Sequence, residues 1–172
     1  MFEHDHISFF TATILEWKHL LMPDKYKQVI IDSLKFLVTD KRVSVYAFVI
    51  MPNHLHLLWK IKPPFLLQQV QRDFLKYTAQ QIKFDLASNH PEVLKRFYVG
   101  AKDRQYQFWE RNPLSVCCYN LQITEQKLDY IHGNPVQEKW KLANLPEEYP
   151  FSSANFYHTN TDNFGFLTHY RD

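Results

Sequence analysis

Apolar positions along this chain follow two spacings, and the changes between them delimit its elements. Residues 6–14 are dense in β-branched and aromatic side chains, the composition of a strand. Met22-Pro23-Asp24 opens a helix in which Tyr26, Val29, Ile30, Leu34 and Leu37 recur at helical spacing and give it one buried face. Residues 43–51 are nearly unbroken apolar, with Val43, Val45, Val49 and Ile50, as a central strand is. Pro52-Asn53 interrupts the run and residues 54–61 resume it, so the two predict a hairpin. Pro63-Pro64 ends that hairpin, and a long helix follows over about 65–86 with Leu67, Val70, Phe74 and Tyr77 as its buried stripe. Residues 89–100 are ambiguous, and 105–120 read as one strand interrupted at Asn112-Pro113. Thr124, with Glu125 beside it, is placed as the cap of a helix running through Leu128 and Ile131 to Gly133, and Pro135 terminates it. Beyond Val136 the pattern predicts a short helix and an irregular tail, packed on the body through Trp140, Tyr149, Phe151, Phe156 and Tyr157. The order β-α-β-β-α-β-α predicts an α+β fold, an antiparallel sheet with helices packed on it.

At 172 residues the chain fits one domain, with a body over about 6–135 and a C-terminal tail over 136–172. A hydrophobic fraction of 45% and an aromatic fraction of 16% exclude a disordered chain. Fourteen Phe, ten Tyr and four Trp are more ring area than a small core needs, so some rings are free to stack on a ligand. A net charge of +2 is no polybasic signature. Cations do cluster at Lys60 and Lys62, at Lys95 and Arg96, and at Lys102, Arg104 and Arg111, although a solvated surface is the better explanation of each cluster. Cys117 and Cys118 are adjacent, match no zinc spacing and rarely would form a relaxed disulfide, which predicts reduced, partly buried thiols. The N-terminus, with Glu3 and Asp5, lacks a charged-then-apolar signal pattern, and no apolar run approaches the ~18 residues of a membrane span. A cytoplasmic protein without a membrane partner is expected.

Two short motifs carry candidate chemistry. In a strand, residues two apart face the same side, so His54 and His56 project together while Leu55 points the other way into the core. Two such imidazoles can chelate one divalent ion. Same-face histidines are also often exposed or paired with carboxylates, so the motif alone leaves both readings open. Lys60 lies on the same face, two repeats further on. The second motif is Tyr130-Ile-His-Gly-Asn134. On a helix, residues four apart are neighbours, which sets Tyr130 beside Asn134 if the last turn reaches that far. A nucleophile beside an amide ligand and a core tyrosine at a helix end are both compatible with that spacing. His132, two residues on, points away from Tyr130.

The residues Val49-Ile-Met-Pro-Asn-His-Leu-His-Leu-Leu58, followed some 70 residues later by Tyr130-Ile-His-Gly-Asn-Pro-Val136, resemble the single-tyrosine HUH transposases. The resemblance is closest to the REP-associated tyrosine transposases. Phe74-Leu-Lys-Tyr-Thr78, Phe108-Trp109 and Glu148-Tyr-Pro-Phe-Ser-Ser-Ala154 extend it, in order, over most of the chain.

The resemblance implies a ferredoxin-like or RRM-like domain with the histidines on a central strand and the tyrosine on a helix beside it. It implies a Mg²⁺ or Mn²⁺ ion held by His54, His56 and Asn134. It implies attack by Tyr130 on a phosphodiester of hairpin-forming single-stranded DNA, giving a 5′-phosphotyrosine and a free 3′-OH that can later reseal. A phenol titrates near 10, so the attack needs activation. Gly133, where relatives carry a polar residue, is expected to loosen the turn before Asn134, and Asn112–Ser115 lacks the histidine some members have there. Lys60, Arg72, Lys76 and Arg111 are the expected phosphate contacts. The tail favours a monomer over the helix-exchanging dimer of related transposases. A catalytically idle DNA-binding protein, a metal-dependent nuclease using water and a replication-initiation relaxase are the alternatives.

Overall fold

The structure is a computed structural model that describes residues 4–172, so Glu3 lies outside the described residues. The strands β1 (Ile7–Thr13), β2 (Val43–Ile50), β3 (His54–Ile61) and β4 (Leu114–Cys118) form one sheet in the order β2-β3-β1-β4, antiparallel throughout. The helices are α1 (Asp24–Thr39), α2 (Leu67–Asn89), the single turn α3 (Pro91–Leu94), α4 (Leu121–Gly133) and α5 (Ala154–Thr159). This is the α+β, ferredoxin-like arrangement predicted above.

Each sheet face has its own core. Phe10, Ala12, Leu55, Leu57 and Trp59 point toward α1 and α2 and meet Ile30, Leu34, Val70 and Phe74. Phe9, Ala47, Val49, Met51 and Leu58 point the other way and meet Leu128 and Ile131 of α4 and Tyr149 of the tail. Burying each large apolar side chain stabilises the fold by about 1.5–3 kcal/mol before entropic costs. Strand β2 serves both cores through a bulge. Val45 pairs with Trp59 and Ala47 with Leu58, so Tyr46 has no partner and the alternation changes face there.

The tail closes the β2 edge, as unpaired strand edges require. Ser152 bridges Val49, Leu167 bridges Val45, and the Ile50 and Ser153 amides donate to Phe151 and Phe48 carbonyls at 2.9 and 3.0 Å. The Tyr157 hydroxyl takes the bulged Tyr46 carbonyl at 2.7 Å, and that of Tyr149 takes the Ile50 carbonyl at 2.6 Å.

Three local expectations are corrected. The buried stripe of α2 runs Val70, Phe74, Thr78, Ile82 and Leu86, while Tyr77 faces solvent. The small Thr78 leaves room for the Trp109 indole, whose N–H donates to its hydroxyl at 3.2 Å. The cap of α4 is Asn120, whose side chain accepts the Ile123 N–H at 2.8 Å; Thr124 lies inside the helix and donates to the Asn120 carbonyl. The expected strand over 105–120 is reduced to β4 and two isolated bridges, Ile14–Trp109 and Tyr98–Tyr106. Asn112 takes a left-handed backbone with φ 58°, which interrupts pairing before Pro113.

Candidate active site

The hairpin turn sets the histidines in place. Met51 N–H donates to the His54 carbonyl, and the Asn53 carbonyl accepts from Ile14, so the start of β3 is pinned to the end of β1. In that register Thr13 pairs with His54 and Thr11 with His56. Both imidazoles face α4 and are buried. Their ring centroids are 4.8 Å apart. Asn53 Oδ1 lies 2.7 Å from His54 Nδ1, and Thr11 Oγ1 lies 2.7 Å from His56 Nδ1. With Nδ1 protonated and donating to those oxygens, each Nε2 presents a lone pair.

Burial lowers His54 to about 4, with the Lys139 charge adding to the effect. Burial likewise lowers His56 to about 3, followed by the charges of His54 and Lys127. Both rings are therefore neutral at physiological pH, the form a metal binds.

Helix α4 lies across this face because Leu128 and Ile131 pack into the second core. Tyr130 is 48% exposed at the rim, its ring 5.2 Å from that of His56 at 68°. Asn134 is also present and buried. The expected loosening at Gly133 does not occur: Gly133 and Asn134 both keep right-handed helical angles, and an added Cβ at Gly133 would touch nothing within 4 Å. The helical path thus carries Asn134 one turn past Tyr130.

Two buried polar atoms here have no hydrogen-bond partner among the described residues, His56 Nε2 and Asn134 Oδ1. Leaving such atoms unpaired costs about 1–3 kcal/mol each, a deficit that a bound cation would relieve at either atom it reached. The donor set of two neutral imidazoles and an amide oxygen fits a divalent ion with open positions. Among the described residues no cluster of three or more His, Cys, Asp or Glu is placed to hold one.

His132 does point away from Tyr130. Its Nε2 lies 2.8 Å from Ser153 Oγ, which also accepts the Phe48 N–H at 2.9 Å. Burial lowers His132 to about 4. Its work is to tie α4 to the tail and to β2.

Three of the four expected phosphate contacts converge. Arg72, Lys76 and Arg111 line one groove of about 1040 Å³ between α2 and residues 103–113, joined by Lys83 and Arg104. The groove lies on the α1/α2 side of the sheet, yet its rim at Asn112 and Pro113 leads into Leu114, which pairs with Thr11 beside His56. Lys60 is apart from it, on the histidine face but four residues along β3, roughly 13 Å from His56 at strand rise. Cys117 is exposed and Cys118 buried, both free thiols.

The ferredoxin-like sheet thus carries a same-face histidine pair, with a tyrosine and, one turn on, an amide on the covering helix. The family described as "Transposase IS200 like" matches residues 6–134, and the chain belongs to it. No curated protein matches the chain significantly. Among solved structures, a REP-associated tyrosine transposase bound to a REP hairpin superposes with a TM-score of 0.66 at 18% identity, covering 97% of this chain and 88% of that one. A "putative transposase" from Deinococcus radiodurans R1 gives a TM-score of 0.48 at 15% identity, covering 73% and 88%. Among the described residues no helix is long and apolar enough to cross a membrane.

Proposed function

We propose that this chain cuts single-stranded DNA with Tyr130 as nucleophile and rejoins the ends, with His54, His56 and Asn134 as ligands of a Mg²⁺ or Mn²⁺ ion. The observation that carries the reading is the Tyr130 ring 5.2 Å from that of His56, whose buried Nε2 is unpaired, with the unpaired Asn134 Oδ1 one helical turn further on.

The Tyr130 oxygen attacks phosphorus while the bond from phosphorus to the 3′ oxygen breaks. One fragment leaves with a 3′-OH, and the other stays on Tyr130 as a 5′-phosphotyrosine. The phenolic proton is lost and the departing 3′ oxygen gains one, so charge and atoms balance. A 3′-OH from another strand can reverse the step, restoring Tyr130 and a phosphodiester without ATP. A bound divalent cation supplies charge withdrawal from the non-bridging oxygens. The buried histidines keep their protons off Nε2, Thr11 and Asn53 hold their orientation, and the packing of Ile131 fixes the height of Tyr130 over the sheet.

The substrate class follows from likeness in fold to the REP-hairpin-bound transposase together with the groove lined by Arg72, Lys76 and Arg111. We read the substrate as a hairpin-forming single strand, with flanking phosphates in that groove and Lys60 a more distant contact. The tail ties the tyrosine helix to its own sheet through His132–Ser153 and through Glu125, which accepts from Tyr170 and Arg171 at 2.8 Å. That arrangement favours a monomer acting in cis. Comparing wild type with Tyr130→Phe on a labelled hairpin oligonucleotide in Mg²⁺ tests the reading. Cleavage is expected only in wild type; equal cleavage by both would instead make water the nucleophile.

A further inference from the structure

One cation stands at the candidate active site without a role so far. Lys127 is three residues before Tyr130, on the same side of α4. Its ammonium is 4.7 Å from the centroid of the Phe9 ring. Phe9 in turn stacks on His56 at 5.3 Å and 18°, and meets Tyr130 edge-on at 6.1 Å. Lys127 is thus held on the floor that carries the ligand histidine and the nucleophile. It is only partly buried, and among the described residues no carboxylate pairs with it. Its charge is felt on both sides, depressing His56 and opposing the burial that raises the Cys118 thiol.

Along α4 the order is Lys127, Tyr130, Asn134. Lys127 lies ~4.5 Å of helical rise before Tyr130, and Asn134 lies about one turn after it. A strand laid along the helix with its scissile phosphate at Tyr130 brings an adjacent phosphate beside Lys127. We propose that Lys127 is a positioning residue that binds the phosphate next to the scissile one, on the side away from Asn134, and so sets which way the strand crosses Tyr130. This rests on the strand-cutting reading above. Phe9 restricts the flexible lysine stem, and the missing carboxylate leaves the ammonium available for an anion.

The test is equilibrium binding of a single-stranded hairpin oligonucleotide across a salt series, for wild type, Lys127→Met, Lys127→Gln and Lys127→Arg. Loss of one phosphate contact should weaken affinity by roughly tenfold and flatten the log–log salt dependence by about 0.7, with Lys127→Arg restoring the slope. A scan of neutral methylphosphonate linkages then locates the contact. A neutral linkage one step from the scissile phosphate should weaken wild type and remove the difference between wild type and Lys127→Met, whereas other positions should preserve that difference. A merely structural lysine would show the same loss at every position, and that result overturns the proposal, as does an unchanged affinity and slope in folded Lys127→Met and Lys127→Gln. Should wild type bind but form no covalent adduct, the phosphotyrosine reading fails, while the slope and the scan still decide the role of Lys127.

Discussion

The Tyr130 ring stands edge-on to the His56 imidazole, 5.2 Å between centroids. The two belong to elements joined only through the second core. Their relation therefore depends on how Leu128 and Ile131 seat the helix. Ile131→Ala removes a fully buried side chain and is expected to cost about 2–5 kcal/mol in denaturant unfolding. Tyr130→Phe removes one rim hydroxyl and should change stability by less than ~0.5 kcal/mol. A large destabilisation by Tyr130→Phe would mean that the hydroxyl is structural.

Thr11 holds His56 from behind. Replacing it with Val keeps the shape and removes the oxygen 2.7 Å from His56 Nδ1. Partners of this kind are typically worth ten- to hundredfold in metal affinity or activity. A Mn²⁺ titration of DNA cleavage should show a comparable rise in the concentration needed by Thr11→Val, with the thermal unfolding of the metal-free protein little changed.

Asn134 supplies a second kind of test, because its buried Oδ1 has no partner among the described residues. Asn134→Ala removes an unsatisfied acceptor, so the metal-free protein should lose little stability. The rise in melting temperature on adding millimolar Mn²⁺ should shrink in that variant and return in Asn134→Asp. An undiminished rise in Asn134→Ala would remove Asn134 from the ligand set.

The latch between α4 and the tail has a definite sign with pH. His132 is held neutral, with its folded value lowered to about 4 against an ordinary value near 6.5. The unfolded chain therefore binds the proton first as pH falls. Stability from this group is full above about 6.5, declines as pH drops from there, and reaches its floor below about 4. His54 and His56 act in the same direction. In wild type the melting temperature should fall over that window, and His132→Asn should flatten the fall by His132's share, which thermal scans between pH 7 and 4 would measure.

Much of this was legible from periodicity. The strands around residues 6–14, 43–51 and 54–61 and helix α1 follow directly from apolar spacing, and the same-face geometry of His54 and His56 needs only the strand repeat. What the chain conceals is set by pairing across distance. Thr11 becomes the partner of His56 only through the β1–β3 register. Lys127 becomes part of the site only once Phe9 lies beneath it. Tyr77 and Thr78 differ by one position on a helix, and the Trp109 indole, arriving from 31 residues away, decides which is buried. The groove shared by Arg72, Lys76 and Arg111 was unreadable for the same reason, since α2 and residues 103–113 meet only in the fold.

The central claim is the covalent bond to Tyr130, and adduct mapping tests it most directly. A hairpin oligonucleotide labelled separately at each end is incubated with the protein and Mg²⁺, and denaturant-stable adducts are digested and sequenced by mass spectrometry. The account predicts that the 3′-terminal label becomes protein-bound, that the 5′-terminal label is released on a fragment ending in 3′-OH, and that the modified peptide carries its phosphate on Tyr130. Linkage to another residue, or cleavage with both labels free of protein, would contradict it.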